Sequence, residues 1–213
     1  MPKRFKSKRG NSASYIRKIA KSVVATNTET KTHFTMYSDA PISASSYTNP
    51  ISTSLVDVAG GNLESQRDGN KICLTSVKYD LFFNVAEPAG PVPGDTYNCI
   101  RCIFYIPKQP DVLLGQGTGW VNMPFNAPVD YDRFSVLKDM LISVSASGNA
   151  VARKQGYISF RNKGKRLGLP VTYDGSSATS CTRNRVCLYM ISDSALPIHP
   201  AVNGYVKSFY KDA

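Results

Sequence analysis

From residue 29 onward, no window of about 11 to 18 residues in this chain carries helical periodicity, while apolar side chains repeatedly fall at every second position. Cys73, Thr75, Val77, Tyr79, Leu81 and Phe83 are expected on one face of a strand, and Val186, Leu188 and Met190 on one face of another. A period of two can bury one side only as a strand, because successive side chains of a strand point to opposite faces. Eight strands are read, over 29–37, 71–85, 97–106, 134–144, 155–162, 167–173, 185–192 and 203–210. The 12 tyrosines and 9 phenylalanines sit largely inside these runs, as a pleated, half-buried surface favours. The connections over 39–66, 87–95, 107–133, 174–183 and 193–202 are long and rich in Gly, Pro, Ser and Asn. The connection at 107–133 is long enough to require a short helix or a packed excursion. Strands without βαβ alternation predict a two-sheet sandwich.

Charge divides the chain in two. Residues 1–28 hold Lys3, Arg4, Lys6, Lys8, Arg9, Arg17, Lys18 and Lys21 and no carboxylate, whereas residues 29–213 hold 18 basic and 15 acidic residues. Of the net +11, the first 28 residues therefore supply +8 and the other 185 supply +3. This gives a basic N-terminal arm over 1–28, disordered or in a short helix, and a β body over 29–213. Such an arm on a nearly balanced body reads as polyanion-binding. Its cations would neutralise phosphates and release counterions, giving sequence-tolerant, salt-dependent affinity. Phe5 and Tyr15 would add stacking worth about 1–3 kcal/mol per unpaired base. The run over 2–9 also fits a nuclear-localisation pattern, so a nuclear import receptor would read the same residues. Ser14 is placed to cap a short helix through Val24, with Ile16, Ile19 and Val23 on one side.

A second cationic stretch carries Arg153, Lys154, Arg161, Lys163, Lys165 and Arg166, with no acid between Asp139 and Asp174. Ile158 and Phe160 take one face there and Arg161 and Lys163 the other. This is either a second phosphate-facing patch, with Arg161, Lys163, Lys165 and Arg166 as candidates, or a solvated sheet face and turn.

Catalytic and metal chemistry find little footing. The two histidines, His33 and His199, lie far apart in the chain, and no nucleophile elbow, His-Glu-x-x-His or Walker loop occurs. Gly115-Gln-Gly-Thr-Gly119 lacks the Lys-Ser/Thr that a phosphate loop requires. Asp130 and Asp132, with Asp111 or Asp139, are weighed as ligands of a hard cation, against solvated carboxylates or a salt bridge to Arg133. The expectation is no enzyme, no cofactor and no metal. Cys99 and Cys102 lie three apart on a predicted strand, so their sulfurs diverge, and the five cysteines read as reduced packing residues. No apolar run reaches the roughly 18 residues of a spanning helix, and Lys21 interrupts the apolar stretch 19–25, so neither a membrane span nor a secretory signal is expected.

Four features in order along the chain resemble the single-jelly-roll capsid proteins of circular, replication-initiator-encoding single-stranded DNA viruses, and the related capsids of satellite tobacco necrosis virus-like RNA viruses. They are the basic arm before the first strand; Arg67-Asp-Gly-Asn-Lys-Ile72 leading into Ser76-Val-Lys-Tyr-Asp-Leu-Phe-Phe83; Tyr131-Asp-Arg-Phe-Ser-Val-Leu-Lys-Asp139; and Leu188-Tyr-Met-Ile-Ser-Asp193 followed by Gly204-Tyr-Val-Lys-Ser-Phe-Tyr-Lys-Asp212. The resemblance implies an all-β, eight-stranded single jelly roll of two four-stranded antiparallel sheets, B-I-D-G and C-H-E-F. It further implies a homo-oligomeric icosahedral shell of sixty copies with the arm pointing inward onto a single-stranded genome. Loops would meet at symmetry axes, where Trp120 and Phe125 are candidate contact anchors, the alternative being local packing under a loop. DNA is favoured over RNA, although the arm is shorter and richer in lysine than the most arginine-rich arms of the DNA group, which keeps RNA open. The expected location is the virion, and the host nucleus during assembly if the genome is DNA. The competing reading is a cellular nucleic-acid-binding β-sandwich that forms no shell.

Overall fold

The computed structural model describes residues 13–17, 19–20, 23, 29–43, 51–61, 63, 65–109, 113–114, 125–160, 168–175 and 179–212. Among these run ten strands: β1 (Lys31–Pro41), β2 (Ile51–Ser54), β3 (Lys71–Asn84), β4 (Tyr97–Pro107), β5 (Phe134–Ser145), β6 (Val151–Ser159), β7 (Leu169–Tyr173), β8 (Cys181–Arg183), β9 (Cys187–Ser192) and β10 (Ala201–Asp212). All pairings are antiparallel. One sheet runs β1-β10-β3-β6, and the other β2-β9-β4-β5. With β1 to β6 lettered B to G and β9 and β10 lettered H and I, these are the jelly-roll orders B-I-D-G and C-H-E-F. The hairpin β7–β8 extends the first sheet to six strands by pairing with the start of β3, at Lys71–Leu74, beside the stretch that β6 occupies.

The two inner faces meet in one core. Val77, Tyr79, Leu81 and Phe83 of β3 and Val202 and Val206 of β10 face Ile100, Cys102 and Phe104 of β4, Ile142 and Val144 of β5, and Leu188 and Met190 of β9. Each fully buried side chain of this size contributes about 1.5–3 kcal/mol by leaving water, so the inner faces alone hold the sheets together. The Val186, Leu188 and Met190 face is thus as the period-two pattern reads it, and Ile100, Cys102, Phe104 and Ile106 of β4 pack on the same core.

The β3 face departs from its expected pattern. Phe209 pairs with Ser76 and Tyr210 with Leu74, which leaves Thr75 as a bulge. An extra residue reverses side-chain parity, so Ile72 and Leu74, rather than Cys73 and Thr75, join Val77 and Tyr79 inside. Thr75 Oγ1 donates to the Phe209 carbonyl at 2.9 Å, which occupies the displaced hydroxyl.

A second core lies on the outer face of the C-H-E-F sheet. Ile103, Tyr105, Phe134, Cys187, Tyr189 and Ile191 are covered by Leu114 and Val129 from the long connection after β4, with Leu113, Phe125 and Ala127 packed against them. Tyr105 and Phe134 meet edge-on at 5.4 Å, and the Tyr105 hydroxyl accepts from the Leu114 amide at 3.0 Å. The connection is therefore the packed excursion, and no helix occurs in its described residues. The central strands β4 and β9 are buried on both sides, whereas among the described residues none gives the outer face of the B-I-D-G sheet such a cover.

Candidate nucleic-acid interface

In the arm, Ala13–Arg17, Ile19, Ala20 and Val23 are helical. Ser14 is itself within the helix, which starts no later than Ala13, so Ser14 is not its N-cap. Ile16, Ile19 and Val23, the predicted apolar side, are exposed along with Tyr15 and Arg17. Helical spacing without burial gives little stability alone, because short helices rely on packing of their apolar face. Lys3, Arg4, Lys6, Lys8, Arg9, Lys18 and Lys21 lie outside the described residues, as do Arg161, Lys163, Lys165, Arg166 and Trp120.

The junction between arm and body is pinned. Lys31, at the start of the edge strand β1, is buried, and its Nζ reaches Asp212 Oδ2 at 2.8 Å, Asp68 Oδ2 at 3.3 Å and the Gln66 carbonyl at 3.0 Å. The hydrogen bond to Asp212 leads the effects that raise its pKa. Lys31 is thereby consumed as an anchor. Phe125 is half-buried in the second core, and its carbonyl accepts from Arg101 Nη1 at 3.0 Å.

The outer face of the B-I-D-G sheet is a site that the linear charge pattern did not reveal. Registers across four strands place Phe34, Lys207, Lys78 and Tyr157 in one row. The next row holds Met36, Tyr205, Asp80 and Gln155, and a third brings Asn203, Phe82 and Arg153 together. Lys207 Nζ stands 4.6 Å from the Phe34 ring centre and 5.1 Å from that of Phe209, and the Arg153 guanidinium 5.0 Å from that of Phe82. Arg153 also donates from Nε and Nη2 to the two Asp80 oxygens at 2.8 and 2.6 Å. This hydrogen bonding leads the effects that lower the Asp80 pKa, so the one carboxylate in these rows stays ionised and occupied. The face as a whole is aromatic and net cationic.

Of the carboxylates weighed as cation ligands, Asp111 lies outside the described residues, and the others make local contacts. Asp130 Oδ1 accepts from the Asp132 amide at 2.9 Å and Oδ2 faces Arg133 Nε at 3.4 Å, while Asp139 pairs with Arg101 at 2.6 Å. No three His, Cys, Asp or Glu residues form a metal-holding group among the described residues. Cys102 is in the core, where burial raises its thiol pKa, and Cys99 faces Ser143 Oγ at 3.4 Å on the other side. The two sulfurs diverge, as a strand requires. No helix among the described residues is long and apolar enough to cross a membrane.

The chain has the strand order of a jelly-roll sandwich, and that order alone carries the fold assignment. No family model matches it, and no curated protein does. Among solved structures it is similar to a chain of Desmodium yellow mottle tymovirus, at 9% identity and a TM-score of 0.33, covering 98% of this chain and 94% of that one. A chain of the T13 viral particle of IBDV is similar at 8% identity and a TM-score of 0.18, covering 86% of this chain and 40% of that one.

Proposed function

We propose that this protein is a viral coat protein that assembles with copies of itself into a small icosahedral shell and packages a single-stranded genome through its basic arm. The observation that carries the reading is the junction at residues 28–31. There, a 28-residue stretch with eight cations and no carboxylate passes directly into the edge strand of a jelly roll. Jelly rolls serve capsids, lectins and cupins alike, so the fold itself does not choose among them. The cationic arm favours a body that handles polyanion.

Sixty arms would bring about 480 positive charges into one lumen, where each phosphate contact releases counterion. Phe125 packs in the excursion over the C-H-E-F sheet, and Trp120 and Phe125 are proposed contacts between copies. Leu141, exposed and lining the same surface pocket as Phe125, is proposed to join that contact. The second cationic stretch, Arg161 to Arg166, is proposed to share the phosphate load, and DNA is the favoured genome.

The test is the nucleic acid that purified particles protect from nuclease. Sequencing should recover one single-stranded species from the intact chain, and deletion of residues 2–24 should leave a folded body that retains none. Truncated particles carrying a full complement of nucleic acid would contradict the role of the arm.

A further inference from the structure

We infer that the outer face of the B-I-D-G sheet is a second nucleic-acid site, a stacking platform for unpaired bases that acts beside the arm. The proposal deepens the packaging reading and rests on it for its ligand class, but stands on separate residues. Four observations point to it.

First, among the described residues this face is open while its counterpart is covered. The long connection after β4 buries the outside of the C-H-E-F sheet, yet Phe34 is 50% exposed, Met36 79% and Tyr157 59%. Such side chains on a strand surface cost solubility unless something covers them. Second, rings flank cations. Phe34, Lys207, Lys78 and Tyr157 form one unbroken row across four strands, spanning about 14 Å at the usual strand spacing. Phe82, Tyr205 and Phe209 stand in the neighbouring rows. Aromatic faces stack on any unpaired base, and interleaved Lys and Arg meet the phosphates between bases.

Third, the charge selects the occupant. The rows hold Lys78, Lys207 and Arg153 against Asp80 alone, and Asp80 already accepts both bonds from Arg153. A second copy of this chain seated face to face would oppose Lys78 and Lys207 with their like, which disfavours self-association there. Single-stranded nucleic acid brings the opposite charge and the exposed ring faces together; a duplex hides its base faces. Fourth, the arm enters the body at β1, the strand that bears Phe34 and Met36. A strand held by the arm is thus delivered to the edge of this face.

The test uses the full chain with two probes, a 30-nucleotide oligo(dT) and inorganic polyphosphate of matched charge, which has phosphates but no bases. Phe34→Leu with Tyr157→Leu should weaken oligo(dT) binding by about tenfold or more, with the polyphosphate affinity and salt slope unchanged. Lys78→Gln with Lys207→Gln should weaken both probes and lower the salt slope by about 1.4. On the unsubstituted chain, 5-iodouracil placed within the oligonucleotide should cross-link under ultraviolet light to the peptides bearing Phe34, Tyr157 or Tyr205. Wild-type oligo(dT) affinity in the leucine variant, or cross-links confined to residues 1–28, would overturn the proposal. So would loss of self-association in the leucine variant at unchanged oligo(dT) affinity, which would make the face a contact between copies. Shell formation is scored separately by sedimentation. Shells that form with ring-independent binding defeat the platform and leave the coat reading standing, whereas ring-dependent binding by a chain that forms no shell does the reverse.

Discussion

The ring and hydroxyl of Tyr79 occupy the space that a β-carbon on Gly156 would need. The two residues are paired across β3 and β6, and the Tyr79 side chain lies fully buried over the glycine, reaching toward Lys138 and Met140 of β5. Gly156 thus lets a large ring close the sandwich where β5 and β6 meet. Gly156→Ala should cost about 1–3 kcal/mol in chemical denaturation, because the buried ring has no free volume to move into. Adding Tyr79→Leu to that variant should recover part of the loss. An alanine variant as stable as the parent would show that the ring yields freely.

Arg67 should prove irreplaceable by lysine. Its side chain is fully buried, with Nε donating to the Val58 carbonyl at 3.1 Å, Nη2 to that of Gly175 at 3.0 Å and Nη1 to that of Gly69, while the guanidinium lies 3.8 Å from the Tyr173 ring centre. These bonds tie the segment before β3 to the β7–β8 hairpin. A lysine keeps the charge and loses the planar fork, so Arg67→Lys should destabilise by about 2–4 kcal/mol. A loss below about 0.5 kcal/mol in an equilibrium urea titration would refute this role.

Much of the body was legible as sequence because strands with Tyr, Phe, Val and Ile in alternation have few other ways to bury them. The strand β2 was not, since Ile51-Ser-Thr-Ser54 is short and polar and becomes a strand only through pairing with β9. Likewise β8 is three residues within a stretch that reads as loop. The bulge at Thr75 leaves no mark on the period-two pattern because Cys73 and Thr75 are small enough to suit either face. Arg67 reads as a surface cation until carbonyls from three segments surround it. The sheet-face site has the same cause of invisibility: Phe34, Lys78, Tyr157 and Lys207 are neighbours only through register. The arm was the opposite case, a local charge block that composition alone exposes.

Acidification should weaken the fold through His33. Burial lowers its pKa in the folded chain, with the Asp57 charge opposing. The unfolded chain takes up the proton near pH 6.5, where the folded chain resists it. Stability from this group is therefore present above about pH 6.5 and is lost as pH falls through the lowered folded value. Denaturation at several pH values across that window should show the parent losing more stability on acidification than His33→Asn. Parallel losses in the two proteins would remove His33 from the account.

Thiol accessibility should follow the strand faces. Cys102, Cys181 and Cys187 are buried, whereas Cys73 and Cys99 are partly open. A native protein should therefore release thiol signal from Cys73 and Cys99 alone, and from all five only when unfolded. Rapid native labelling of Cys102 would contradict its place in the core.

The mass of the purified full-length protein under low-salt conditions, with nucleic acid present, tests the central claim most directly. Sedimentation or electron microscopy should find closed particles, and sixty copies of a 23.3 kDa chain give a protein mass of roughly 1.4 MDa. A species that stays a 23.3 kDa monomer across a range of salt and protein concentrations would contradict the coat-protein reading.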